Sequence, residues 1–160
     1  MIWRDGRRTV VPMRYQCRPA GKPAIYDTKY PGTYNARRDN LEKFWKGQFG
    51  HTHGIMVVNR FHEHVAGTIL EFAPKPEQDM LVACLWSHWM GKGEPDLYSF
   101  AAITDEPPAE VAAAGHDRCI VPLKPANIDA WLNPAGLTAA DLYKLLDDRE
   151  RPYYEHKLAA

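Results

Sequence analysis

The run "DMLVACLWSHW", Asp79 to Trp89, is almost unbroken in apolar side chains, and it constrains the fold more than any other stretch. It is too short for a membrane span and shows no helical stripe, so it reads as a central strand covered on both faces. "GIMVVNRFHEHV" and "GTILEFAP" precede it as strands and "LYSFAAIT" follows as another. "IWRDGRRTVV" reads as a hairpin, with Asp5-Gly6 supplying the positive φ angles of a tight turn. Helices are expected at "DNLEKFWKGQF", capped by Asp39 or Asn40 with Leu41, Phe44, Trp45 and Phe49 on one face, and at "EPPAEVAAAG", ending at Gly115. Two more are expected at "KPANIDAWLN", stopped by Pro134, and at "LTAADLYKLLDD", with Thr138 at its cap and Leu142, Leu145 and Leu146 buried. "HDRCIVPL" reads as extended, and the Pro-, Gly- and Tyr-rich stretch from Cys17 to Arg37 reads as a long ordered loop. Strands and helices do not alternate regularly, so the class is α+β and not a doubly wound sheet.

The 160 residues make one domain's worth of chain, and no signal-peptide pattern opens it. The final "KLAA", 157–160, resembles vector-derived sequence and is set aside, leaving a single domain over 1–156. Three widely spaced cysteines, Cys17, Cys84 and Cys119, argue against a disulfide framework and fit a reducing cytoplasm. Twenty basic and 20 acidic residues balance overall, yet nine Lys and Arg between Arg4 and Arg38 face only Asp5 and Asp27. Such an excess is either a solvated surface or an anion-binding face.

"HTHGIMVVNRFHEHV" holds four of the seven histidines. The pairs His51/His53 and His62/His64 each place two imidazoles on one strand face, a geometry able to chelate zinc or iron. No helical HExxH spacing accompanies them. Alternation in "FHEHV" instead puts Glu63 among Phe61 and Val65, with His62 and His64 on the opposite face. A carboxylate on an apolar face has its pKa raised by burial and suits general acid–base work. A Glu bonded to a buried amide or an Arg would give the same pattern.

Ordered motifs sharpen this choice. "NAR" at Asn35, Ala36 and Arg37 precedes "FHEH" at Phe61 to His64, "LW" at Leu85-Trp86, Thr104, "HDR" at His116 to Arg118, and Trp131 in a short helix. From about Val11 to Pro134 this order resembles the SRAP family of SOS-response-associated, abasic-site-processing proteins with a proposed peptidase activity. The resemblance implies a mixed, largely antiparallel, curved or barrel-like sheet with peripheral helices. It implies single-stranded DNA carrying abasic sites as the partner, with no cofactor, no metal, no membrane and no obligate protein partner. The family's N-terminal cysteine condenses with the ring-opened sugar: its α-amine forms an imine and its thiol closes a thiazolidine. By position Glu63 would shuttle protons in that step and in removal of the initiator Met. His116 would assist ring opening, and Asn35 would orient the N-terminus or the sugar. Arg37 and Arg118 would bind flanking phosphates, Thr104 would also lie on the DNA-binding side, and Tyr15 would offer a stacking platform.

The family begins Met-Cys-Gly-Arg, whereas this chain begins Met1-Ile2-Trp3-Arg4. Cys17 is internal and has no free α-amine, so it cannot build the thiazolidine. Two explanations stand: a missing N-terminal section, or a relative that keeps the pocket without the nucleophile. A metal-dependent hydrolase built on His51, His53, His62 and His64 is one alternative function, and a non-catalytic single-stranded DNA-binding protein is another.

Overall fold

The computed structural model describes residues 1–159. Strand β8 (Met80–Trp89) lies inside the main sheet, as its two apolar faces require, antiparallel to both β5 (His53–Val58) and β9 (Leu97–Asp105). The hairpin β1 (Ile2–Arg4) and β2 (Arg7–Thr9) joins the outer edge of β5 through Ile2 opposite Gly54. Its turn carries φ of 52° at Asp5 and 73° at Gly6, as the sequence requires. Two short strands, β3 (Arg14–Tyr15) and β4 (Asn35–Arg37), run parallel to β9, and β10 (Cys119–Ile120) pairs antiparallel with Thr104 and Asp105. The order β10-β9-β8-β5-β1-β2 leaves two ends, so this α+β sheet is mixed, mostly antiparallel and open, not a closed barrel. A second sheet holds β6 (Phe61–Val65), β7 (Thr68–Lys75) and β11 (Tyr153–Leu158) in the order β11-β7-β6.

Period-2 alternation along β8 divides the core in two. Ala83 and Leu85 pack with Ile55, Ala101 and Ile103 under the helices α3 (Ile128–Leu132) and α4 (Ala139–Asp147). Val82 and Cys84 pack on the other side with Ala102, with Phe72 and Tyr154 of the second sheet, and with Val111 of α2 (Ala109–Ala113). Thr138 and Asp141 cap α4 reciprocally, and Leu142 and Leu146 are buried while Leu145 is only partly so.

Four sequence expectations change, the first being "GIMVVNRFHEHV", which splits into β5 and β6 of different sheets. "DNLEKFWKGQF" forms a 3-10 turn at Arg38–Asn40 and then a chain of turns, with Leu41, Trp45 and Phe49 buried but Phe44 47% exposed. Gly47 and Gly50 make a regular helix costly there, and burying the three apolar groups sets the path instead. The long loop contains a one-turn helix, α1 (Tyr26–Lys29), as well as β4. Lys157 and Leu158, set aside above, pair with Glu71 and Leu70 in β11, while Ala160 lies outside the described residues. Among the described residues no helix is long and apolar enough to cross a membrane.

Candidate active site

Strand register gathers the candidate residues before any side chain is considered. Tyr15 lies opposite Phe100, Asn35 opposite Ala102 and Arg37 opposite Thr104, and Ala102 lies opposite Cys84. All of these side chains therefore project from the face that the second sheet and α2 cover.

Glu63 reaches this region from β6, with Phe61 and Val65 beside it and His62 and His64 turned to solvent. His116 arrives from the loop after α2. That helix ends in a Schellman-type turn: Gly115 has φ 98°, and the amide of His116 donates to the carbonyl of Val111 at 3.3 Å. Gly115 is also required by packing, since a Cβ there would sit 2.9 Å from Val65 Cγ1. This close approach lets His116 reach β6. His116 Nε2 lies 3.2 Å from Glu63 Oε2, and its Nδ1 lies 2.8 Å from the carbonyl of Arg118. The second contact favours the tautomer with the proton on Nδ1, leaving Nε2 to exchange a proton with the carboxyl group. Burial pushes the Glu63 pKa up, and the nearby His116, Arg118 and His64 only partly oppose it.

The Tyr15 hydroxyl donates to Asn35 Oδ1 at 3.0 Å, while its ring stacks on Phe100 with centroids 5.2 Å apart. Burial first, then the Cys84 and Glu63 charges, push the Tyr15 pKa up to about 12, so the phenol stays protonated. Tyr15 thus joins Asn35 to the neighbourhood of Glu63. Thr104 is fully buried, and its hydroxyl has no hydrogen-bond partner among the described residues. Contact with a bound strand would need it uncovered. Arg37 and Arg118 lie together at the rim, 4.0 Å and 3.2 Å from the exposed Asp117.

Four of the nine early basic residues are paired with carboxylates of the protein away from the groove. Arg14 and Arg18 both bind Asp27, Arg8 binds Asp129, and Arg38 binds Asp105 and Asp147. An anion-binding face here is therefore narrower than nine residues suggest, with Arg37 and Lys29 at the groove beside Arg118.

The alternative of a metal centre on the two histidine pairs is not met by their placement. His53 is buried on the helix-covered face, with Nδ1 2.9 Å from the Trp131 carbonyl and Nε2 accepting from the Gly50 amide at 2.8 Å. His62 lies against Glu71, and His51 and His64 are exposed. The two pairs fail to meet because β5 and β6 belong to different sheets. Among the described residues no three His, Cys, Asp or Glu side chains are grouped to hold a metal ion.

Cys17, Cys84 and Cys119 are free and buried, each pushed up to about 12 chiefly by burial, so none is a ready thiolate. The Met1 α-amine donates to the Ile55 carbonyl at 2.7 Å, and burial lowers its pKa. Exposed Tyr30 and Phe44, which sequence reasoning passed over or buried, line the groove that contains Asn35, Arg37 and Arg118. The only sequence signal for them was an aromatic residue within or beside a Pro- and Gly-rich stretch.

The fold recurs in solved structures. A crystal structure of a Bacteroides thetaiotaomicron protein superposes with TM-score 0.75 at 18% identity, covering 92% of this chain and 68% of that one. A Bordetella bronchiseptica protein gives 0.67 at 17%, covering 92% and 76%. A phage-related protein from Bordetella bronchiseptica gives 0.68 at 17%, covering 97% and 73%. No curated protein matches the sequence. The family model for SOS response associated peptidase (SRAP) matches residues 2–159, and the chain belongs to that family. Membership associates it with the SOS response and with DNA.

Proposed function

We propose that the chain is a single-stranded DNA-binding, abasic-site-processing domain whose proton-transfer pair is Glu63 and His116. The 3.2 Å contact between them carries this reading, because it joins a buried carboxyl to an imidazole beside Asn35 and the Tyr15 hydroxyl. The ring-opened abasic sugar presents an aldehyde. An attacking amine forms a C–N bond to it, giving a carbinolamine. Loss of hydroxide as water needs a proton, and a carboxyl whose proton affinity burial raises is suited to supply it. The imine forms as the amine proton returns to the carboxylate. A thiol on the same residue then adds to the imine carbon, the C=N π bond breaks, the thiol proton passes to nitrogen, and the thiazolidine closes. His116 takes up and returns the proton that moves when the sugar ring opens, and Asn35 holds a sugar hydroxyl. In self-processing peptidase chemistry the same carboxylate would activate water against the initiator Met bond. Arg37 and Arg118 would hold the phosphates, giving salt-sensitive affinity.

Crosslinking needs an amine and a thiol on one residue, and Met1-Ile2-Trp3 offers no thiol. The three buried cysteines therefore favour a second reading for these residues alone: binding of single-stranded DNA without a stable adduct. The test is incubation with an abasic oligonucleotide, followed by denaturing electrophoresis. The chain as given is compared with a version preceded by a section beginning Met-Cys-Gly-Arg, and each with its Glu63→Gln variant. A heat-stable adduct only in the extended version, slowed by Glu63→Gln, supports the proposal. Adduct in neither version overturns the enzymatic reading, and no salt-sensitive DNA binding overturns both.

A further inference from the structure

The groove beside the site is built to take more than phosphate. Its volume is about 410 Å³, within the range of small-ligand sites, and its lining includes Asn35, which bonds Tyr15, and Arg118, whose carbonyl contacts His116. Four aromatic residues line it, Tyr26 and Trp45 buried and Tyr30 and Phe44 each 47% exposed. Neither exposed ring hangs free. Tyr30 packs on Tyr26 with centroids 4.6 Å apart, and Phe44 packs edge-on against the buried Trp45 at 5.0 Å. Each is thus held in place by a second aromatic while part of its surface faces solvent. That is a rigid stacking platform with little ordering cost on binding.

The charges complement this. Lys29 lies 5.6 Å from the centre of the Tyr30 ring, and the Arg37 and Arg118 guanidiniums share Asp117 as a counter-ion. Asp117 is 71% exposed, so a phosphate can displace it without uncovering a buried charge. Rings and cations in one groove match a nucleotide, whose base is flat and apolar on its faces and whose phosphate is anionic. An apolar peptide would make no use of the two guanidiniums, whose present partners Asp39 and Asp117 are both exposed.

We propose that this groove holds one intact nucleotide of the single strand, adjacent to the sugar that reaches Glu63 and His116. Its base lies against Tyr30 and Phe44 and its phosphate between Arg37 and Arg118. The inference rests on the DNA-binding reading above and adds a base-stacking subsite to it. Recognition is by ring faces, so it tolerates any base but requires that one be present. The site would then read a lesion as a missing base beside a present one.

The experiment is a thermodynamic cycle by fluorescence anisotropy on the whole chain. The probes are a short fluorescein-labelled oligothymidylate with one tetrahydrofuran abasic analogue, and matched strands in which either neighbouring base is also removed. Phe44→Ala and Tyr30→Ala should each weaken binding to the first probe about tenfold. Removing one neighbouring base should weaken binding of the parent by a similar factor. The two losses should not add, because ring and base lose the same contact. Phe44→Trp should restore affinity, and neither ring variant should change the slope of log K against log salt, whereas Arg37→Ala should reduce it by about one. Each ring is about half exposed and packs on a buried neighbour, so binding is compared well below the melting temperature of each variant. Ring variants that bind within about twofold of the parent, or losses that add fully with base removal, would overturn the nucleotide subsite alone. A parent chain with no salt-sensitive affinity for the first probe would overturn the DNA-binding reading and this inference with it.

Discussion

Replacing His53 with glutamine should flatten the acid limb of this protein's stability curve. His53 is 1% exposed and stacks on Trp131 with centroids 4.0 Å apart. The neutral ring with its proton on Nδ1 satisfies both neighbours, donating to the Trp131 carbonyl and accepting from the Gly50 amide. An imidazolium would turn Nε2 into a second donor facing that amide. Burial, aided by the nearby His51 and opposed by the Trp131 carbonyl, pushes the His53 pKa down to about 4 from an ordinary 6.5. Above pH ~6.5 both folded and unfolded chains hold His53 neutral, so it contributes no slope. Below that the unfolded chain takes up a proton that the folded chain refuses. Stability then falls by about 1.4 kcal/mol per pH unit until about pH 4, a loss of ~3 kcal/mol. Asp141, held at about 2 by Thr138 and Lys144, loses its contribution only at lower pH. Glu63 has the opposite sign: its raised pKa gives stability that is present at low pH and is lost as pH rises. Urea unfolding of parent and His53→Gln between about pH 7 and 4 cancels Glu63, because it lies on the other side of the sheet. The variant should be less stable at neutral pH, with the deficit shrinking by ~3 kcal/mol on acidification. A deficit that stays constant with pH would refute the buried neutral imidazole. One that vanishes on adding chelator would revive a metal at His53.

Asp27→Ala should cost ~3 kcal/mol in thermal or urea unfolding, because it strips the partner from Arg18, which is buried with its guanidinium 4.4 Å from the Trp89 ring centre. A loss near zero would mean that the pair is solvated and does not clamp the loop that carries Tyr30. Gly115→Ala should cost about 1–3 kcal/mol, combining the φ of 98° with the crowding against Val65. It should also slow adduct formation by the extended version more than it weakens DNA affinity, since the crowding separates His116 from Glu63.

The core was legible where local pattern and tertiary demand coincide. Met80–Trp89 could only be an interior strand, Asp5-Gly6 could only turn a hairpin, and alternation in "FHEHV" put Glu63 inward. Illegible features were those fixed by distant partners. "GIMVVNRFHEHV" reads continuously, yet the chain leaves the main sheet at Asn59, because β8 begins at Met80 opposite Val58 and offers nothing beyond. That one departure scatters the histidines and brings Glu63 over the sheet. The basic N-terminal third misled for the same reason, since Asp105, Asp129 and Asp147 lie far along the chain from the arginines they pair with. Phe44 followed helical spacing that the turns of 41–50 do not keep.

Glu63 shows how far such reading can go. Its inward position follows from period 2, but the 3.2 Å contact with His116 does not, since no local pattern places that residue beside it. Burial alone would leave an inert acid. With His116 Nε2 at 3.2 Å the carboxyl has a partner within reach of a direct proton transfer. Among the nearby charges that oppose burial, His116 contributes most, ahead of Arg118 and His64. His116→Gln should therefore move the Glu63 carboxyl titration to higher pH, read directly from its carbon chemical shift in glutamate-labelled protein. A midpoint that moves down would mean the imidazole is neutral and merely shields the carboxyl from water. Because the imidazole both lowers the acid's pKa and accepts its proton, losing it should cost more in rate than either effect alone suggests.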